Sequence, residues 1–417
     1  MGLTPVDVPA PDAARPARSL VFGLGVAMML GPASTDLYLP ALPALALDLE
    51  ATPAQAQATV AAFLAGMGVS QLLYGPLSDR VGRRGPLLAG LSLYTLAAIA
   101  CALSSSLGAL LTARFLQAVG ACAGQVLARA SVRDRFALRR SAQVLSRLML
   151  VAGVAPILAP LLGAQLATAG WRATFVAQAL IGLALLLWAL RGFDESRPPA
   201  ARLAVRGESP LGSLLHVLRQ RSVIGFVGCA SLNAVGFFAY LACAPSLLMG
   251  TYGLSARAFG WVFAVNAVGF IGAYQLNAWL LARYSPIEIL RRTRLPTIAV
   301  ALVLVYDALS GAFGLMGVLV PLFFALSSHG LIGANAVACA LGADSARTGT
   351  ISSVSGCAGF GLGALAAVAS GALQDGTARP LAVLVLAAML ASSLALYGIA
   401  LRTPDGAARN TALDARG

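Results

Sequence analysis

The chain has 417 residues, of which 59% are hydrophobic and only 11% charged, with a net charge of +13 and a mean hydropathy of +0.82. A soluble domain carries about a quarter charged residues, so this composition excludes an ordinary soluble enzyme. The apolar residues fall in repeated blocks of about twenty, the length a helix needs to cross a bilayer, and predict an all-α polytopic membrane protein.

All 29 basic residues are arginine. A nucleic-acid partner is one source of such a charge, but arginine gathered in the loops on one side of a membrane fits the apolar blocks, and no nucleic acid is expected. The six cysteines, Cys101, Cys122, Cys229, Cys243, Cys339 and Cys357, lie inside apolar segments without metal-ligand or disulfide spacing, so no metal site is expected.

The first 18 residues are polar, and the apolar run after them is longer than a signal-peptide core, which makes it a retained first span. Twelve spans are predicted, at 19–44, 55–76, 87–104, 109–129, 142–166, 173–191, 222–247, 258–281, 295–312, 315–341, 349–371 and 380–402. With the N-terminus in the cytoplasm, arginines 15 and 18, 80–84, 133–140, 197–221, 283–294, 347 and 402–416 share one side, leaving Arg172, Arg257 and Arg379 outside. Both termini are therefore expected in the cytoplasm, the chain being multi-pass in a bacterial inner membrane. The polar segment from Arg191 to Pro210 divides the spans into six plus six. The expected organisation is a tail, 1–18; a six-helix half, 19–191; a cytoplasmic loop, 192–221; a second half, 222–402; and a tail, 403–417. The halves echo each other: Asp79 precedes Arg83 and Arg84 after span two, and Glu288 precedes Arg291 and Arg292 after span eight. Paired repeats around a midplane site suit a secondary transporter.

Span one ends in "STDLYLPALPAL", residues 34–45. A carboxylate inside a span costs a few kcal/mol and usually faces a cavity or a partner. By helical rise, Asp36 and Arg114 of span four lie at one depth, about 10 Å below the outer boundary. Two readings stay open: Asp36 carries a proton between the two faces, or it is a fixed strut with Arg114. Tyr38 is placed near the entrance, and Pro40 and Pro43 break or kink the helix. Span five carries Pro156, Pro160 and Gly163. On span seven, Asn233, Phe237 and Tyr240 share one helical face, either a cavity wall or ordinary packing. Asp307 is read as a carboxylate snorkelling from the outer edge of span nine. His329 sits near the middle of span ten, where it titrates or bonds a backbone carbonyl. The glycine run of span eleven lacks the strand-to-helix context of a phosphate loop and reads as helix packing.

Between spans two and three stands "GPLSDRVGRRGP". It resembles the loop signature of the major facilitator superfamily, with Gly75, Asp79, Arg80, Gly82, Arg83 and Arg84 in its positions. The resemblance implies the major facilitator fold, twelve transmembrane helices in two pseudo-symmetric halves, with this loop as a conformational latch. In that latch Asp79 meets an arginine or helix terminus of the other half, and the arginines lie at anionic headgroups. "STDLYLPALPAL", "ARASVRD" and "GWRATF" are similar to the Bcr/CflA drug-efflux subfamily. "GVAPILAPLLGA" resembles the antiporter helix, although Ala159 replaces a customary glycine, as Ala118 does in "RFLQAVG".

The resemblance implies a proton-coupled antiporter exporting small, largely apolar drugs or antibiotics of phenicol or bicyclomycin type. Its partners would be protons, the drug and the lipid bilayer, and it would work as a monomer. The alternative on the same scaffold is a metabolite or amino-acid exporter. A membrane sensor lacks a soluble domain here, and an intramembrane enzyme lacks clustered catalytic residues, so no catalytic residue is expected. Without lysine there is no Walker loop, so the proton gradient is the expected power source and no cofactor is needed.

Overall fold

The structure is a computed structural model that describes residues 18–136, 138–197, 210–344 and 347–402. The predicted tails up to position 17 and from 403 onward, and loop positions 198–209, lie outside the described residues.

The described chain is helical: α1 (Arg18–Asp36), α2 (Leu42–Asp48), α3 (Pro53–Val81), α4 (Arg84–Leu103), α5 (Leu107–Arg135), α6 (Leu138–Ala167) and α7 (Trp171–Gly192) form the first half. A short helix, α8 (Pro210–Arg219), leads into α9 (Arg221–Ala244), α10 (Ala256–Leu280), α11 (Pro286–Ser310), α12 (Gly314–Ala343), α13 (Thr348–Ala372) and α14 (Arg379–Leu394). Eleven stretches among the described residues are long and apolar enough to cross a membrane, and α6 contributes a shorter apolar segment, Gly153–Ala167. Local chemistry sets the boundaries. Pro40 and Pro43 lack the amide hydrogens of a continuing ladder, so span one breaks into α1, a 3₁₀ turn at Leu39–Ala41, and α2. Thr52 with Gln55 and Ser285 with Glu288 form capping boxes that start α3 and α11.

Within the first half, α5 packs against α1, α3 and α4; within the second, α9 packs against α12, α13 and α14. The halves meet where α3 lies on α13 and α6 on α10. Large apolar side chains such as Leu96, Leu180, Leu302, Leu365 and Leu394 stay exposed on the outer faces, as lipid contact requires. One core belongs to the first half and includes Leu91, Tyr94 and Leu127; another belongs to the second and includes Phe226, Leu290 and Ile332. A third joins both halves, bringing Tyr38, Leu42 and Phe175 together with Leu247, Phe259 and Leu381. This shared core seals the end of the bundle far from the Gly75–Arg84 loop. There the fully buried Gln57 of α3 crosses to the other half, donating to Ser246 Oγ and to Gln374 Oε1, each at 2.9 Å.

Several helices run past their predicted ends at the loop side. The largest difference is α11, which begins at Pro286 rather than 295. Arg294, read in sequence as a loop arginine, is therefore inside the bundle and 2% exposed. It donates to Ser392 Oγ at 2.9 Å and contacts Cys229 Sγ at 2.6 Å.

Candidate substrate cavity and loop network

A cavity of about 350 Å³ lies between the halves. Its first-half wall is Gly31, Pro32, Thr35 and Asp36 of α1, Phe63, Leu64 and Met67 of α3, Gln125 of α5 and Pro156 of α6. Its second-half wall comes from α9, α10, α12 and α13 and includes Phe237, Tyr240, Phe263, Phe270, His329 and Phe360.

Asp36 is the last residue of α1, where the helix stops ahead of the prolines. Its side chain borders the cavity and makes no hydrogen bond or ion pair among the described residues. The position of α1 is fixed by close crossings. A Cβ on Gly124 of α5 would run into the Ala27 carbonyl, and one on Gly163 of α6 would run into the Leu37 carbonyl, next to Asp36. Gly163 thus packs span five onto span one. Pro156 lines the cavity, and Pro160 is buried with its carbonyl facing Gly260 of α10.

The expected Asp36–Arg114 pair is not formed. Arg114 is fully buried, with its guanidinium 4.2 Å from the Phe63 ring centre and 4.4 Å from that of Tyr38. It donates to Gln117 Oε1 at 2.8 Å, and Gln117 donates onward to Gln178 at 2.7 Å. Arg114 Nε and Nη2 have no hydrogen-bond partner among the described residues. Depth along a helix is readable from sequence, but the side chain's direction follows from packing, and here aromatic rings and amides hold the cation. Tyr38 does not line the entrance either. It is fully buried, bonds Thr59 Oγ1 through its hydroxyl at 2.5 Å, and lies 5.5 Å from the Phe175 ring.

On the second half, the α9 face behaves as a wall. Phe237 and Tyr240 border the cavity; Asn233 lies one turn deeper, in a small adjoining pocket with Phe237 and His329. The Asn233 amide is 3.1 Å from His329 Nδ1. The His329 ring stacks on Phe237 at 5.4 Å and on Phe270 at 5.9 Å, so its partners are side chains rather than a backbone carbonyl. Tyr240 stacks on Phe263 at 5.3 Å, and its hydroxyl accepts from Asn266 at 2.8 Å. Asp307 does not snorkel. It is 2% exposed and turns inward to accept the Phe313 amide at 2.8 Å.

The Gly75–Arg84 loop is tied down by charge. Gly82 takes a φ of 101°, which glycine adopts without strain, and turns the chain so that Arg83 comes back onto Asp79 at 2.8 Å. Arg83 also bonds Asp134 of α5 at 2.8 Å and Ser78 Oγ at 2.6 Å. Asp79 takes a second partner, Arg197, at 3.1 Å. Its partners thus come from its own half and the connecting segment, not from the other half, because the turn at Gly82 supplies a cation four residues away. Arg83 points inward and is 5% exposed, so of the loop arginines it does not reach headgroups, whereas Arg80 is exposed. Arg84 donates to the Leu190 carbonyl at 3.1 Å. Gly75 touches the second half: a Cβ there would come within 3.3 Å of Ser353 Oγ on α13. Glu195 caps α4, accepting the amides of Arg83 at 2.8 Å and Arg84 at 3.2 Å. The echoing Glu288 does a different job, closing the capping box of α11. Glu195, Gln57 and the Gln71–Gln125 bond of 2.9 Å carry functional contacts outside the sequence motifs. Polar amides inside apolar spans were the available sign for the last two.

Two six-helix halves around a central cavity, bordered among the described residues by the unpaired carboxylate of Asp36, define the architecture of a secondary transporter. The chain belongs to the Major Facilitator Superfamily, whose family model matches residues 24–370. The "Uncharacterized MFS-type transporter YdgK" of Bacillus subtilis (strain 168) is 31% identical over 91% of this chain and 95% of its own. The "Bicyclomycin resistance protein homolog" of Haemophilus influenzae is 29% identical over 90% of this chain and 95% of its own. "Multidrug resistance protein MdtL" of Escherichia coli is 33% identical over 58% of this chain and 61% of its own. These relatives fit the Bcr/CflA type. Among solved structures, a D-xylose-proton symporter superposes with a TM-score of 0.73 at 14% identity, covering 91% of this chain and 97% of that one. That likeness concerns the fold.

Proposed function

We propose that this transporter exports small, largely apolar drugs or antibiotics across the bacterial inner membrane in exchange for protons, and that Asp36 carries the exchanged proton. The observation that carries the reading is the unpaired Asp36 carboxyl facing a mostly apolar, aromatic cavity between the halves. A carboxyl group without a protein cation must be neutralised by a proton or balanced by a ligand when water is excluded. That makes its occupancy responsive to which face the cavity opens to. Relatives described as bicyclomycin resistance and multidrug resistance proteins support antibiotics, those of bicyclomycin type among them, as the cargo; phenicols are the other type proposed. In this reading the protein works as a monomer with both termini in the cytoplasm and needs no cofactor beyond the proton gradient.

The test uses purified protein in liposomes with an imposed pH gradient. Wild type should accumulate drug against its gradient and release protons when drug is added. Asp36→Asn removes the titrating group while keeping the side chain's shape, and should abolish both. Proton release from Asp36→Asn equal to that of wild type would remove Asp36 from the coupling role and leave His329 as the candidate.

A further inference from the structure

We propose that His329 is a specificity-determining hydrogen-bond donor of the central cavity. With its proton held on Nε2 by Asn233, it selects uncharged drugs that carry an acceptor oxygen at the edge of a planar, apolar body. This rests on the export reading above and narrows its cargo.

The tautomer follows from one bond. The Asn233 amide nitrogen, Nδ2, lies 3.1 Å from His329 Nδ1. An amide nitrogen only donates, so Nδ1 accepts and the ring proton belongs on Nε2. Turning the amide round would strand the N–H donors of a side chain that is 5% exposed, whereas the present arrangement strands one oxygen, Oδ1. Buried donors are the rarer orphans. A second ring proton, on Nδ1, would face the amide hydrogens. Asn233 has little room to turn elsewhere, because Gly236, Ala325, Val385 and Met389 close an adjoining space of about 10 Å³ around it.

The ring is fixed in place as well. His329 stacks on Phe237 at 5.4 Å and on Phe270 at 5.9 Å, and the two phenylalanines lie 5.7 Å apart, each pair within 27° of parallel. One ring comes from each of α12, α9 and α10, so the imidazole cannot swing without breaking two stacks. The two ring nitrogens point away from each other, and Nδ1 on Asn233 turns Nε2 the other way. Nε2 has no partner among the described residues, and the ring borders the main cavity. Gly333, one turn further along α12, keeps that edge clear: a Cβ there would come within 3.9 Å of Nε2.

A donor fixed at a mostly apolar wall discriminates by what it is left without. A carbonyl or nitro oxygen satisfies it. A hydrocarbon of the same shape leaves it dry and unbonded, and an ammonium sets donor against donor. The near-parallel rings beside it offer flat faces to a planar body.

The experiment pairs binding with spectroscopy on purified protein in detergent. Fluorenone and fluorene share a flat, fused-ring shape and differ by one carbonyl oxygen. Corrected for partition into empty micelles, wild type should bind fluorenone roughly fivefold or more tightly than fluorene. His329→Phe keeps the ring stack and removes the donor, so the preference should vanish while fluorene affinity holds. His329→Gln, whose amide supplies an N–H, should keep part of the preference. Asn233→Leu should weaken it by releasing the tautomer. The chain has two histidines, and His216 is exposed on α8, so nitrogen NMR on His216→Gln protein reports His329 alone. Nε2 should carry the proton and Nδ1 none, and adding Asn233→Leu should give a mixture. Absent fluorenone binding, equal binding of the two probes by wild type, or a preference that survives in His329→Phe overturns the inference; a proton on Nδ1 overturns the positioning role of Asn233. Transport in liposomes separates this inference from the export reading. Export of chloramphenicol by a protein with no fluorenone preference sinks the donor inference alone. A preference that depends on His329, without movement of any drug, sinks the export reading alone.

Discussion

Replacing Gly163 with alanine adds one methyl group at the point where α6 crosses the end of α1. The new Cβ would fall well inside 3.0 Å of the Leu37 carbonyl, a separation real Cβ atoms essentially never show. The obstacle is backbone, so no rotamer change relieves it. Restoring an ordinary contact of about 3.5 Å requires the two helices to part by roughly 1.5 Å. Overpacking of this kind costs about 1–3 kcal/mol, and the better helix propensity of alanine returns up to about 1 kcal/mol. A net destabilisation of about 1–2 kcal/mol lowers the melting temperature of a chain of this length by about 1–2 °C. The displaced residue adjoins Asp36, so drug-driven proton release should fall as well. Gly272→Ala is the control, because nothing lies within 4 Å of a Cβ there and the position is exposed on α10. Both variants are compared by thermal unfolding in detergent and by proton release on adding drug. A Gly163→Ala protein as stable and as active as Gly272→Ala would refute the argument that this crossing fixes the carboxylate.

Phe237→Ala removes a ring that stacks on both His329 and Phe270 and should weaken drug binding by about tenfold; resistance profiles across chemically distinct drugs should shift while expression holds, and an unshifted profile would make this face mere packing. Asp79→Asn should leave insertion intact but alter the balance between the two access states, read by cysteine labelling at each end with and without drug. Asp134→Asn should cost more stability than Asp79→Asn, because Asp134 is 15% exposed and Asp79 is 37% and exposed ion pairs contribute less; the reverse order in thermal unfolding would show that Arg83 depends chiefly on Asp79.

The spans were legible because a bilayer dictates both their length and their apolar composition. Their loop-side ends were not, because helical hydrogen bonding continues past the hydrocarbon boundary, and α11 drew Arg294 into the bundle in this way. The Gly75–Arg84 loop was legible as a motif, and Gly82 explains why: its positive φ is a demand that one residue type meets without strain. The partner Arg197 was not, because it comes from a segment remote in sequence. Asp36 stood out as a charge in an apolar run, and its place on a cavity followed. The level of Arg114 was readable from helical rise, but its orientation was not. That depends on how the rings of Phe63 and Tyr38 pack across three helices, which no local pattern encodes.

The two ends of the bundle are fastened by different physics. At the loop end, Asp79, Arg83, Asp134 and Arg197 form a charged cluster whose strength falls as salt screens it. At the far end, Gln57 joins the halves through neutral amide and hydroxyl groups. An amide neither titrates near neutral pH nor draws a counter-ion atmosphere. That closure therefore keeps its strength when the acidity or ionic strength of the medium beside it changes. The burial of the shared core, the water-exclusion around Gln57 and the fit of its two acceptors set how readily the far end opens, and the part Gln57 plays in that gate is indifferent to the very gradient the transporter would exploit.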